Sequence, residues 1–239
     1  MNQNYDYEFF DWGETTDEYI LLFSDENFVD RVYENCYQIK ENDIVLDVGA
    51  NCGSFTYSIL PKKPKHVYCV EPSNSICETL KKNVQQDNVT IINKAISFTE
   101  EINIDIPNDG VYIYHNKGTK YSTTTFRKLI QEHQIEKVDF LKFDCEGGEY
   151  SIFTPDNQKY IQENIKNFAG EWHISDHKSS IEYFKIFRDH YLQTCKYVHL
   201  YERNGKEETH NLYNDTYLYG FKDYWEQYHL GQWMIFFGY

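Results

Sequence analysis

A turn of the form Asp-x-Gly-x-Asn-x-Gly runs from Asp47 to Gly53 and follows the apolar run Ile44–Val48. Gly49 and Gly53 let the backbone approach a ligand, and Asn51 tolerates the left-handed conformations that such a turn needs. Dinucleotide sites place a glycine first and cradle a pyrophosphate. The Asp47 carboxylate repels phosphate and suits a cationic group, such as an amino-acid ammonium or a sulfonium. We predict a small-molecule site; a plain strand-turn-helix connection is the alternative.

A second acid, Glu71, ends the apolar run His66–Val70, about 20 residues after the glycine turn, where nucleotide sites place a ribose-binding carboxylate. Pro72 stops the strand, and Ser73 or Asn74 caps the next helix. This spacing predicts that Glu71 accepts hydrogen bonds from ribose hydroxyls. A solvated acid at a helix N-terminus is the alternative.

Three carboxylates, Asp144, Glu146 and Glu149, follow the predicted strand Val138–Phe143 within six residues. Such crowding raises the pKa of at least one carboxyl group unless a cation, a metal or an ammonium group lies among them. We therefore expect a ligand here, with an acidic helix start as the alternative for Glu149. Cys145 is a poor thiolate candidate, because neighbouring negative charge opposes its ionisation.

Strands and helices alternate along the chain, which predicts a mainly parallel sheet with helices on both faces. Glu171 and His173 share one face of a predicted fifth strand, Phe168 to Ile174. In a doubly wound sheet the fourth strand, here Val138–Phe143, lies beside the fifth. Glu171 and His173 are therefore expected to lie near Asp144 and Glu146 at the carboxyl ends of these two strands. His173 is the predicted general base, since an ordinary histidine pKa is near neutral. A structural histidine is the alternative.

The remaining predicted elements frame this region. They are a helix from Ser24 or Asp25 to about Tyr37, a third strand at Val89 to Asn93, a possible hairpin at Val111 to Tyr114, helical spacing over Gln158 to Asn167, a helix from Ser180 to about Gln193, and strands near Tyr197 to Glu202 and Tyr217 to Phe221. The tail is rich in tyrosine, tryptophan and phenylalanine, which we expect to supply core, with sugar stacking as a second use.

Four segments together resemble FkbM-type S-adenosylmethionine-dependent methyltransferases, over about residues 40 to 175. The segments are Asp47 to Thr56 (first motif), Val70 to Pro72 (ribose motif), Asn93 to Ser97 (third strand) and Val138 to Glu149 (hallmark strand with its Asp-x-Glu-Gly-x-Glu end). Arg127 stands where the family has the acid of a Leu-Asp pair, so no role is carried over for that acid. From about Ser179 onward no motif matches.

The resemblance implies an α/β, Rossmann-like class I methyltransferase fold: a seven-stranded, mostly parallel sheet with S-adenosylmethionine across its carboxyl edge. The expected cofactor residues are Asp47, Gly49, Ala50, Asn51, Gly53, Ser54, Phe55, Thr56, Glu71, Pro72, Ala95 and Asp144. The expected reaction is O-methylation of a hydroxyl on a sugar or sugar-containing metabolite. Methylation of nucleic acid or protein, and cofactor binding without catalysis, are the alternatives.

The expected catalytic residues are His173, Asp144, Glu146 and Glu171. A divalent cation, Mg²⁺ or another, is expected at Asp144, Glu146 and Glu171, with His173 as a substitute for Glu171. Such an ion would orient acceptor hydroxyls, because Mg²⁺ prefers oxygen ligands.

Composition is that of an ordinary enzyme: 239 residues, 41% hydrophobic, can bury one core. We expect one methyltransferase domain over residues 1–239, with 1–40 as an N-terminal helical and aromatic extension and 179–239 as an aromatic, substrate-side portion. No apolar stretch reaches the roughly 18 residues of a membrane span, and the N-terminus lacks an export signal. A cytoplasmic protein with six reduced cysteines is therefore expected.

The formal net charge is −15, from 38 acidic and 23 basic residues, and the chain has no basic stripe. Nucleic-acid affinity is supplied largely by clustered lysine and arginine, so this balance argues against a nucleic-acid partner. With 18% aromatic residues, a small-molecule or carbohydrate acceptor is the expected partner.

Overall fold

The computed structural model describes residues 10–13, 27, 30–102, 121–174, 178–202, 205–220 and 231–239. The strands are β1 (Ile44–Val48), β2 (His66–Val70), β3 (Val89–Ile92), β4 (Ala95–Ile96), β5 (Glu101–Ile102), β6 (Tyr121–Thr124), β7 (Val138–Phe143), β8 (Ile165–Ile174), β9 (Tyr197–Glu202) and β10 (Gly231–Gly238). The α-helices are α1 (Ser54–Ile59), α2 (Asn74–Asn83), α3 (Phe126–Glu132), α4 (Glu149–Ile152), α5 (Gln158–Asn164) and α6 (Lys178–Tyr191), with a further helical stretch over 215–220. Single 3₁₀ turns occupy Val32–Glu34, Leu60–Lys62, Pro155–Asn157, Leu192–Thr194 and Thr209–Asn211.

Seven strands form one sheet in the order β3-β2-β1-β7-β8-β10-β9. The five strands from β3 to β8 are parallel, while β10 runs antiparallel to both β8 and β9. A small three-stranded sheet, β4-β6-β5, lies apart from it. The predicted fold, a seven-stranded and mostly parallel sheet of the class I methyltransferase type, is confirmed.

Two hydrophobic cores lie on opposite faces of the large sheet, because side chains of successive strand residues alternate. Leu46 and Val48 of β1 belong to one core together with Phe126 of α3 and Phe184 of α6. Val45 belongs to the other core, which includes side chains of α1 and α2. Helices therefore cover both faces, as the alternation of strands and helices predicted.

Two predicted elements are wrong. The helix expected to run to about Tyr37 is absent from residues 30–37, where a single 3₁₀ turn follows Arg31, whose φ of 50° interrupts a right-handed helix. The strand expected at Tyr217 to Phe221 is helical over 215–220, since Asn214 accepts from the Tyr217 backbone N–H and starts a turn. The predicted hairpin at Val111 to Tyr114 lies outside the described residues.

The aromatic tail supplies core where it is described, as predicted. Trp233, Phe236 and Phe237 of β10 are fully buried, and the Phe237 ring stacks on Phe168 of β8 with centroids 4.2 Å apart. The predicted helical spacing of residues 158–167 holds only to Asn164, because Ile165 already pairs with Val138 as the first residue of β8.

Candidate active site

The predicted site lies where the order of the strands reverses. The chain passes from β1 to β2 and β3 on one side of the sheet, and later returns through β7 on the other side of β1. The Asp144 N–H donates to the Val48 carbonyl at 3.0 Å, and the Gly49 N–H donates to the Val70 carbonyl at 2.9 Å. Ligands of doubly wound sheets bind in the crevice at such a switch point.

Close packing within the protein requires the two glycines of the turn. Gly49 has φ +79°, and a Cβ there would lie 1.7 Å from the Asp144 carbonyl oxygen. Gly53 has φ +91°, and its Cβ would lie 2.5 Å from Leu80 of α2. Asn51 adopts φ 49°, the left-handed conformation predicted for it. Both glycines are thus required by the protein's own packing, against Asp144 and α2, and approach of a ligand to them stays a prediction.

Asp47 faces the interior. Its side chain is fully buried, accepts a hydrogen bond from Thr56 Oγ1 at 2.7 Å and pairs with Lys142 Nζ at 3.3 Å. Asp47 and Lys142 are partners in register on β1 and β7. The expected direct contact between Asp47 and a cationic ligand is therefore corrected: Lys142 already supplies the cation.

Lys142 connects the turn to the neighbouring strand. Its Nζ donates to the Gly49 carbonyl at 2.7 Å, lies 3.9 Å from Asp144 Oδ2 and sits 5.3 Å from the centre of the Tyr33 ring. The Tyr33 hydroxyl donates to Asp144 Oδ2 at 3.1 Å. Burial lowers the pKa of Lys142, but Asp47 and Asp144 more than offset this, so its pKa is raised and the amine stays charged.

Glu71 lies at the end of β2 beside the turn, as its spacing predicted. Its Oε2 accepts from the Asn51 N–H at 3.0 Å and its Oε1 from the Ser73 N–H at 2.8 Å. Burial raises the pKa of Glu71 to about 7, against these two backbone hydrogen bonds. The side chain of Ser73, in turn, caps α2 through the Ile76 N–H.

The other expected cofactor residues surround these groups. Ser54, Phe55 and Thr56 form the first turn of α1, Ala50 is buried in the loop before it, Pro72 follows Glu71, and Ala95 begins β4. Phe55 packs edge-on against Tyr33, with ring centroids 5.6 Å apart. Their contact with a cofactor remains a prediction.

Four carboxylates converge on the imidazole of His173. Its Nε2 lies 3.7 Å from Asp144 Oδ1, 3.5 Å from Glu146 Oε2 and 3.5 Å from Glu171 Oε2. At the opposite nitrogen, Nδ1 lies 3.1 Å from Glu149 Oε1. The structure thus brings together all four side chains that were expected to meet, because β7 and β8 are adjacent, and adds Glu149.

Glu146 and Glu171 are crowded acids, as predicted for this segment. Burial raises the pKa of Glu146 to about 7, and burial together with Asp144 raises the pKa of Glu171. Burial and the neighbouring Glu149 carboxylate raise the pKa of Cys145 well above its usual range, which confirms it as a poor thiolate candidate. All six cysteines are free thiols.

The expected near-neutral titration of His173 is wrong. Burial lowers its pKa, but the carboxylates of Glu146 and Glu149 raise it by more, so the pKa of His173 lies well above its ordinary value. A raised pKa works against the general-base role expected for His173, and that role stays a prediction.

Sequence reasoning missed two residues of the site. Lys142 is the buried one of the two charged side chains in β7, and a buried lysine requires a carboxylate at the same level of a neighbouring strand. Glu149 was an acid at a helix start, yet it is fully buried and accepts from the backbone N–H of His173 at 2.8 Å. No spacing rule links Glu149 to β8.

Comparison with known proteins identifies the family. Residues 47–198, more than half of the chain, match the model of the methyltransferase FkbM domain. The chain belongs to the FkbM methyltransferase family. This finding confirms the resemblance seen in the motifs, and a methyltransferase family implies S-adenosylmethionine as cofactor.

A curated relative of this FkbM-family chain is "Probable ribosomal RNA small subunit methyltransferase A" from Methanosphaera stadtmanae, 26% identical over 141 residues. That alignment covers 59% of the chain and 49% of the relative, so the chain spans about half the length of the relative it matches.

Two solved structures are distantly similar. A precorrin-6y C5,15-methyltransferase from Geobacter metallireducens is 11% identical, with 88% of each chain covered and a TM-score of 0.48. A precorrin 8W decarboxylase from Methanobacterium thermoautotrophicum is 15% identical, with 95% of this chain and 92% of that chain covered and a TM-score of 0.47. Likeness at this level says nothing about the acceptor.

In the described part of the FkbM-family chain, no helix combines the length and apolar character that spanning a bilayer requires.

Proposed function

We propose that this protein is an S-adenosylmethionine-dependent O-methyltransferase acting on a hydroxyl of a sugar or a sugar-containing metabolite. The observation that carries the proposal is the meeting of four strand ends at one edge of the sheet. These ends place the glycine turn, Glu71, and the acids Asp144 and Glu171 in one region. Methyl transfer requires the methyl donor and the hydroxyl acceptor to bind next to each other, and this region could bind both.

The residues present fit the cofactor by the chemistry of their donors and acceptors. Glu71 ends β2, where ribose hydroxyls are bound in doubly wound sheets, and its carboxylate is already oriented by the N–H groups of Asn51 and Ser73. Asp144 at the end of β7 supports binding of the positively charged methionyl part, since its side chain is 28% exposed. Asp47, which is fully buried, supports the turn from behind.

The acceptor would meet the more exposed carboxylates of the cluster. The side chains of Asp144 and Glu146 are 28% and 27% exposed, whereas that of Glu171 is 8% exposed. Ionised carboxylates only accept hydrogen bonds, so they bind hydroxyl donors and repel phosphates. The formal net charge of −15 likewise repels a polyanionic acceptor. A neutral polyol satisfies these conditions.

A row of aromatic side chains, two of them exposed, extends outward from the His173 cluster. The Tyr150 hydroxyl donates to the His173 carbonyl, the Tyr150 ring stacks on Tyr183 at 5.1 Å, and Phe98 lies 5.8 Å from Tyr183. Phe98 and Tyr183 are both exposed. Flat apolar faces beside hydroxyl acceptors match the two kinds of surface that a sugar ring presents.

Catalysis would rest mainly on positioning. When bound, S-adenosylmethionine supplies an already activated methyl group. The chain's own part would be to hold the acceptor oxygen beside the cofactor that Glu71 and Asp144 would bind. Asp144 or Glu146 takes the hydroxyl proton.

The proposal also assigns the protein to the cytoplasm, in keeping with six free cysteines. RNA is the second candidate acceptor, favoured by the similarity to the probable ribosomal RNA methyltransferase of Methanosphaera stadtmanae. The carboxylates at the cluster and the net charge count against it.

The test is a mass-spectrometric search for methylated products. The protein and S-adenosylmethionine are incubated separately with a panel of glycosides and with ribosomal RNA, and products are searched for a gain of one CH₂ unit. We expect methylated glycoside. Asp144→Asn, checked for folding, should abolish it, and His199→Ala, on the edge strand β9, should not. Methylated RNA with unmodified glycosides would refute the sugar assignment.

A further inference from the structure

His173 is surrounded by carboxylates in a way that hydrogen bonding does not explain. Its side chain is nine-tenths buried, and its Nε2 makes no hydrogen bond with any of the residues that the structure describes. Oxygens of Asp144, Glu146 and Glu171 nevertheless lie 3.5 to 3.7 Å from that nitrogen. A buried polar nitrogen facing three oxygens at more than hydrogen-bond distance is expensive unless something lies between them.

The opposite side of the ring is firmly held. Glu149 Oε1 lies 3.1 Å from His173 Nδ1 and also accepts from the His173 backbone N–H at 2.8 Å. Its Oε2 accepts from the Gly147 N–H at 2.8 Å, which fixes the carboxylate. A carboxylate at Nδ1 places the ring proton there and leaves the lone pair on Nε2, as is usual for metal-bound histidines.

The facing atoms lie close enough to one another to share one ion. The nearest ligand atoms of Asp144, Glu146 and His173 all lie within 4.8 Å of one another. Bonds of about 2.0 to 2.2 Å put the ligands of a tetrahedral ion about 3.3 to 3.6 Å apart. Octahedral Mg²⁺, with bonds of about 2.0 to 2.1 Å, needs adjacent ligands at about 2.9 Å.

We propose that Asp144, Glu146 and His173 Nε2 bind one divalent transition-metal ion of the Zn²⁺ type, with Glu149 orienting the histidine. Imidazole suits such ions, whereas Mg²⁺ is bound by oxygen. The expected ion was Mg²⁺ or another divalent cation, and the nitrogen ligand His173 favours a transition-metal ion among these. When bound, the ion would supply a Lewis acid beside the acceptor, and this role alone rests on the proposed function.

The first experiment is calorimetric titration of the chelator-treated, folded protein with ZnCl₂ and, separately, with MgCl₂. Neither cofactor nor acceptor is present, so the result is independent of methyl transfer. We expect one Zn²⁺ per chain, bound at least about 100-fold more tightly than Mg²⁺. Absence of stoichiometric Zn²⁺ binding would overturn the proposal and leave a protonated His173 as the counter-ion of the acids.

Variants then locate the ion. Glu146→Gln changes a side chain that is 27% exposed, so the protein should stay folded, and Zn²⁺ affinity should fall at least about 10-fold. Glu149→Gln, which keeps an acceptor near Nδ1, should weaken binding about 10- to 100-fold. His199→Ala is the matched control, since His199 pairs with Glu207 on the surface, 3.2 Å away. Wild-type affinity in folded Glu146→Gln, or loss in His199→Ala, would refute the site.

Discussion

Replacing Lys142 by Met is expected to lower the free energy of unfolding by about 3 kcal/mol. Removing one partner of a buried ion pair leaves an uncompensated charge and costs about 3 to 5 kcal/mol. Here Lys142 is 4% exposed and Asp47 is fully buried, so water does not replace the ammonium. We expect the lower end of that range, because Thr56 still donates to Asp47 Oδ2 at 2.7 Å.

Within the described residues, Asp47 Oδ1 has no hydrogen bond, and its contact with Lys142 Nζ at 3.3 Å is an ion pair. The loss should therefore come from the charge left on Asp47. Combining Lys142→Met with Asp47→Asn removes that charge and should recover at least half of the stability, since neutral replacement of a buried pair costs little.

Urea denaturation followed by circular dichroism measures the change, and thermal unfolding should show a drop of about 6 to 12 °C in Tm. Lys166→Met is the matched control: Lys166 pairs with Asp139 at 2.6 Å, but its side chain is 63% exposed. That pair should be worth less than about 1 kcal/mol. A Lys142→Met protein as stable as the Lys166→Met protein would refute the reasoning.

Three further predictions concern the turn and Glu71. Gly205→Ala should lower the free energy of unfolding by about 1 to 2 kcal/mol, because its φ of +81° is unfavourable for alanine. Gly49→Ala also has a positive φ, and its Cβ would lie 1.7 Å from the Asp144 carbonyl oxygen, so it should cost several kcal/mol more. Equal urea midpoints for the two variants would contradict this. Glu71→Ala should weaken S-adenosylmethionine binding by about 1 to 3 kcal/mol in calorimetry, and unchanged affinity in folded protein would reject the ribose contact. Because the pKa of Glu71 is raised from 4.5 to about 7, its contribution to stability is full below about pH 4.5 and is lost as pH rises through 7. Wild type should therefore lose stability relative to Glu71→Gln over that range, while cofactor affinity rises as the carboxylate forms; parallel stability curves would argue against the raised pKa.

The sequence predicted the structure correctly where a local pattern determines the backbone conformation. The apolar runs before Asp47, Glu71 and Asp144 are buried strands, and strand order then brings Glu171 and His173 to Asp144. Alternation along a strand follows from pleating, so the shared face of Glu171 and His173 was predictable.

The remaining site depends on contacts between segments far apart in the chain. The pKa of His173 is set by Glu146 and Glu149, which lie on another element, so an ordinary histidine value misled. Asp47 looked like a ligand group because its partner, Lys142, is 95 residues away. Residues 215–220 contain tyrosines that favour strands, but the Asn214 side chain caps this segment and stabilises a helix.

The position of β10 has a consequence for how the protein folds. This strand is the last of the ten along the described chain, yet it lies between β8 and β9 and pairs with both over most of its length. Until β10 arrives, β8 is an edge strand with one row of unpaired N–H and C=O groups, and it carries Glu171 and His173. Assembly of the acidic cluster is therefore tied to a slow, non-local step, during which this edge is open to pairing with another chain.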